Sequence, residues 1–328
     1  MNRIAALLLL TQVVCQGQTR LQMPVLGEPL PQTTFDVVSR ISSEKLARMP
    51  KELPSYNWSR QPRNFPLGAL QTLLDQSAFA GTNISKLFAS STYLNDGFTL
   101  TSQDNQDFFV VTPAAGRIAV QDTDRSHEYP PPDVVPDFGV TWNRALELAE
   151  MFGVSTNEME RKPDGSIHIR KTENTTSHMG GSIKYKSRRS LTVFRIINGF
   201  LVRSLDEDKI ELELGVNGRL LKFNFKWPNI EVANTKRTLT LPQVIDRIKQ
   251  GDALGDSQNE YPPGGIAQVE LTDYQVFYYV STMHPYLRHS TAPQSPDIQP
   301  MIEFLATFKS KNGEKTDGGL FISVVGPK

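Results

Sequence analysis

The chain has 328 residues, 35 lysines and arginines against 35 aspartates and glutamates, a single cysteine and a formal net charge of zero. That balance leaves no basic field for wrapping nucleic acid. No apolar run past the first residues reaches the roughly 18 residues that a membrane-spanning helix needs, and the length points to two or three compact units.

The first residues read as a cleavable secretory signal, residues 1–17. Arg3 supplies a short positive region, and Ile4 to Leu10 form an apolar run extended by Val13 and Val14, too short to span a bilayer. Cleavage after Gly17 would remove the only cysteine, Cys15, and leave a mature chain without a thiol and with one net negative charge. The alternative is lipidation at Cys15, for which Val14 is a poor preceding residue. The expected location is therefore periplasmic or secreted.

Residues 18–66 are interrupted by seven prolines, from Pro24 to Pro66, and read as an irregular arm or linker. Within it Thr34 to Met49 has helical spacing, with Phe35, Val38, Ile41 and Leu46 on one face. A helix is predicted over 67–79, where Leu67, Leu70, Leu73 and Leu74 make a stripe. A hairpin follows over 107–121, turning at Pro113-Ala114-Ala115-Gly116. Pro130-Pro131-Pro132 marks a boundary. A second helix is predicted from Thr141, as N-cap, to Phe152 with Gly153 ending it, then a hairpin at Pro163-Asp164-Gly165 with Ile167 and Ile169 alternating.

Over 190–227 strands are predicted, with turns at Asn198-Gly199 and Asn217-Gly218. The second dipeptide supplies the positive φ angles of a type I′ turn. Leu212, Leu214 and Val216 alternate with Glu211, Glu213 and Gly215, giving one buried and one wet face. A third helix is predicted over 241–249, then strands over 268–280, 301–309 and 320–325, the last two joined through Asn312-Gly313. A helix followed by antiparallel strands thus recurs three times, which argues for an α+β protein.

The run Val193-Phe194-Arg195-Ile196-Ile197-Asn198-Gly199-Phe200-Leu201-Val202, with Ile210 to Leu220 after it, resembles PepSY-type domains. It is most similar to the two-lobed extracytoplasmic regulators of Gram-positive sensor histidine kinases. Phe109-Val110-Val111 and Gly116-Arg117-Ile118 resemble the closing hairpin of such a unit. The resemblance implies tandem PepSY-like units, each a helix packed on an antiparallel sheet: a degenerate unit over 67–135 and two more over 140–235 and 236–328. It also implies a non-enzymatic module that binds or inhibits a protein. A cleavable signal in place of a membrane anchor departs from the kinase regulators.

The reactive side chains form no coherent catalytic motif. The histidines are His127, His168, His178, His284 and His289, and the pair at 284 and 289 has neither helical nor hairpin spacing for a metal. His168 is expected on the wet face of its strand. Asp206-Glu207-Asp208 lacks the alternation of a calcium loop and reads as a solvated turn. No cofactor, metal site or catalytic residue is predicted.

Two features suit a partner. Lys184, Lys186, Arg188 and Arg189 are the one basic concentration, a contact for an acidic partner or else a strand with a charged face. Tyr274, Phe277, Tyr278 and Tyr279 alternate on a strand, and Tyr274 and Tyr278 would form a contact surface if their face were exposed; otherwise the stripe is core. Asn57, Asn83 and Asn174 head glycosylation tripeptides. The expected function is that of an exported binding or regulatory protein acting on a protein or peptide partner in the cell envelope. The alternatives are a hydrolase assembled from distant residues such as His284 and Asp297, and a structural envelope component.

Overall fold

The computed structural model describes residues 26–30, 35–90, 97–123, 134–177, 184–203, 208–256, 260–280 and 298–323. The signal segment with Cys15, the proline run at 130–132, Asp206, Glu207, Asp297 and all histidines but His168 lie outside them.

The protein is mostly β, with 46% strand and 21% helix in two large sheets. It parts into two units. The first comprises residues 61–195 and 209–228, and the second comprises 21–60, 196–208 and 229–328. Both are discontinuous in sequence, so the expected series of tandem helix-plus-sheet units is wrong. The helix-then-strands order recurs along the chain, but its strands are shared out between two sheets by pairings that span more than a hundred residues.

In the first unit, α2 (Leu67–Leu74), α3 (Ile84–Ser90) and α4 (Phe138–Met151) accompany seven strands. These are β4 (Phe98–Thr101), β5 (Phe108–Thr112), β6 (Arg117–Gln121), β7 (Arg170–Ser177), β8 (Lys184–Phe194), β11 (Lys209–Leu214) and β12 (Leu220–Lys226). The sheet is antiparallel throughout, in the order β4-β5-β6-β12-β11-β8-β7. The segments read as separate units over 67–135 and 140–235 therefore join in one sheet through β6 and β12.

The alternation in β11 and β12 sends Ile210, Leu212, Leu214, Phe223 and Phe225 to the buried face. There they share one core with Leu70, Leu73 and Leu74 of α2, Leu148 of α4 and Phe152 just after it. Asn217 and Gly218 both take positive φ, as the type I′ turn requires. The cap of α4 is Asp137, whose side chain accepts from Val140 N–H, four residues before the predicted Thr141; Thr141 instead donates to the Asp137 carbonyl.

The second unit holds α1 (Ser43–Ala47), α5 (Leu241–Lys249) and the larger sheet, ten strands counting a two-residue one. Its central path runs β1 (Leu26–Pro29), β14 (Leu254–Asp256), β17 (Lys315–Ser323), β16 (Ile298–Lys309), β15 (Gln268–Val280), β10 (Phe200–Arg203) and β9 (Ile196–Ile197). In addition β2 (Asp36–Ser39) pairs with β15, and β3 (Glu52–Trp58) pairs with β13 (Ile230–Arg237) and touches β16.

The described residues between 26 and 60 are thus no irregular arm. Their strands are built into this sheet, and Asp36–Ser39 is extended rather than helical because it lies in register with Gln268–Leu271. Val244 and Ile248 of α5 pack against Val269, Leu271, Ile302 and Phe304. Tyr56, Trp58, Val202, Tyr278 and Ile298 form a second cluster.

Candidate binding cleft

The strand β15 is long, and its two edges are treated differently. On one side β16 follows it from Gln268 to Val280. On the other side β2 runs parallel to Gln268–Leu271, and β10 runs parallel to Tyr278 and Tyr279. Among the described residues no strand pairs with Thr272 to Phe277 on that second edge.

The burial pattern records the gap. Thr272, Asp273, Tyr274, Gln275 and Val276 are successively exposed or half-buried, while buried residues stand at alternate positions before them and dominate after them. A bulge at Thr272 places Tyr274 opposite Phe304. Tyr274 N–H donates to Asp273 Oδ1 at 2.7 Å. Peptide groups alternate in direction along an antiparallel pair, so the peptide groups of Tyr274 and Val276 belong to the open edge.

A cleft of about 570 Å³ lies at this gap, lined by Ser42, Glu44, Lys45, Arg48, Pro50, Phe200, Tyr274, Gln275 and Val276. The helix α1 forms one wall. Ser42 caps it by accepting from Lys45 N–H, and Tyr274 Oη donates to the Lys45 carbonyl at 2.8 Å. Lys45 pairs with Asp273, and its Nζ lies 5.5 Å from the Tyr274 ring centroid. The hydrogen bond from Lys45 holds the Asp273 carboxyl below its usual range against the opposing effect of burial, while burial pushes the Tyr274 phenol up. Arg48 pairs with Glu44 one turn away, with side chains 75% and 78% exposed. Phe200, packed against the cores beside it, forms the apolar wall.

Of the six residues expected to contact a partner, only Tyr274 reaches this cleft. Tyr278 is fully buried, edge-on to Tyr56 at 5.5 Å, and Asn198 Nδ2 donates to Tyr56 Oη at 2.7 Å and to Tyr278 Oη at 3.4 Å. Its face of β15 is covered by β3 and β9–β10 residues, so its side chain is core, and burial drives its pKa up.

The basic residues lie on β8 in the first unit. Lys186 and Arg189 both reach Glu173 of β7, at 3.1 and 2.6 Å, Arg188 reaches Glu213 of β11 at 3.1 Å, and Arg189 donates to the Val135 and Pro136 carbonyls. For Lys184 the structure describes the backbone in β8 alone. Lys186, Arg188 and Arg189 are thus answered by acids on neighbouring strands, with Arg188 and Arg189 on opposite faces of the sheet, which is neither the single charged face expected nor an open basic site.

His168, placed on the wet face by its alternation, is three-quarters buried and lies 3.0 Å from Glu160 Oε1. Asp208 is buried at the start of β11, in place of the expected solvated turn. Among the described residues no group of three His, Cys, Asp or Glu is placed to hold a metal ion, and no helix is long and apolar enough to cross a membrane.

Sequence reasoning missed Lys45, Arg48, Phe200, Gln275 and Val276 as cleft residues. The signal for them is absent from any single segment, because the gap exists only once β2 and β10 have taken their places along β15. No protein-family model matches the chain, and no curated protein matches it in sequence.

Proposed function

We propose that this chain is an exported, non-enzymatic binding or regulatory protein that acts on a protein or peptide partner in the cell envelope. The observation that supports it most is the cleft at Tyr274, where a strand edge that no described strand covers, an aromatic and apolar wall and two cations converge on one accessible spot. Groups of that kind recognise polypeptide by backbone pairing and side-chain fit. The short positive region and apolar run at the start of the sequence support export.

The test is affinity capture from the native envelope with the mature protein and with Glu44→Trp, which adds bulk at a lining residue whose side chain is 78% exposed. The expected result is an envelope protein retained by the wild type and lost from the variant. Equal retention by both, or no retained protein, would sink the reading.

A further inference from the structure

We infer that the open stretch of β15 receives the C-terminal end of a partner polypeptide as a short added strand, with the terminal carboxylate at Lys45 and Arg48. The inference rests on the binding reading above and specifies its ligand.

The gap has closed ends. Thr272 to Phe277 offers about 20 Å of strand edge at about 3.3 Å per residue, but β2 occupies the same edge line up to Leu271 and β10 occupies it from Tyr278. Phe200 and residues of α1 line it as well. An internal segment of a partner would have to bend sharply at both ends to enter and leave. A chain end has to enter only once.

The charges suit a carboxylate. The lining carries Lys45 and Arg48 against Glu44 alone. Asp273 takes up part of Lys45, whereas the Glu44–Arg48 pair stands in water on both sides. Exposed pairs of that kind hold with about 0–1 kcal/mol, so the guanidinium is available to an incoming carboxylate, which it can meet with two parallel hydrogen bonds. Phe200 and Val276 offer apolar surface to a side chain of the added strand. The Tyr274 and Val276 peptide groups offer the backbone pairing, Tyr274 N–H being held meanwhile by the neighbouring Asp273 carboxylate. Bare strand edges invite pairing, and proteins ordinarily cover them.

The probes are a pool of N-acetylated hexapeptides with free carboxyl ends and the same pool amidated, each incubated with the full mature protein. Members retained from the free-acid pool are then measured one by one. Retained free-acid peptides are expected to bind about tenfold more tightly than their amides, and Arg48→Glu is expected to weaken them about tenfold. Arg237→Glu, at a 91% exposed side chain on β13 in the same unit, leaves binding unchanged. Hydrogen exchange should show the Val276 amide protected on binding.

Equal affinity for acid and amide, or binding without protection within 272–277, overturns the C-terminal strand while leaving a binding protein. Retention of no hexapeptide overturns the inference as well, and the envelope capture then decides separately whether the broader reading stands.

Discussion

Arg203 and Glu303 lie 2.8 Å apart with side chains only 8% and 12% exposed, and the Arg203 guanidinium sits 4.5 Å from the Phe277 ring centroid. Two charges withdrawn from water are tolerated because each answers the other and the ring face adds to the cation. Glu303→Ala leaves Arg203 buried and unanswered, and is expected to destabilise the second unit by about 3–5 kcal/mol in urea unfolding. Loss within experimental error would show that the pair is solvated. In the first unit, burial pushes the Glu211 carboxyl up, but the hydrogen bond from Lys222 and the charges of Lys222 and Lys209 outweigh it and hold its pKa below the usual value. A carboxyl depressed on folding contributes stability that is fully present above the unfolded pKa, about 4.3, and is lost as pH falls through the folded one. Glu211→Gln is therefore expected to be less stable than wild type at pH 7, with the difference shrinking as pH falls below about 4, read from Tm against pH. The same register logic explains the basic residues of β8: their number is legible in the sequence, but their acidic partners come from β7 and β11, and only strand pairing shows that Glu173 and Glu213 lie beside them.

Local elements were legible where the signal is local. Leu241–Lys249 and Gln268–Val280 fall at the predicted bounds, because a 3.6-residue stripe and a run of β-branched and aromatic residues each speak within their own window. The turn at Asn217-Gly218 follows from backbone sterics alone. Two misreadings have definite physical causes. Phe35, Val38 and Ile41 fit a helical stripe equally well, but Asp36–Ser39 gains a ladder along β15 that no neighbouring residue could supply. Thr141 has the chemistry of a cap, yet Asp137 takes that place because the helix begins earlier, at Phe138. Asp137→Ala removes the acceptor for Val140 N–H and is expected to cost about 1 kcal/mol, measurable by chemical denaturation. A loss near zero would indicate that water satisfies that donor. The cleft lies at the far end of legibility, since Tyr274 announces an aromatic strand, but the missing neighbour beside it is a property of where β2 stops and β10 starts.

For the whole molecule, connectivity carries the main consequence. The chain leaves the second unit after Arg60, returns at Ile196, leaves again at Lys209 and comes back at Asn229. Cutting at 140, a natural choice from the proline run and the following helix, divides the first unit's sheet and so isolates neither unit. The cleft itself gathers α1, β10 and β15 from positions more than 200 residues apart, all within the second unit. The most direct test of the binding reading places a photoreactive phenylalanine at Glu44 in the cleft lining, or at Val232, 62% exposed on β13, and irradiates the protein in its own host. An adduct with an envelope polypeptide formed from position 44 and not from 232 is the expected result. Identical adducts from both positions, or none from 44, would contradict it.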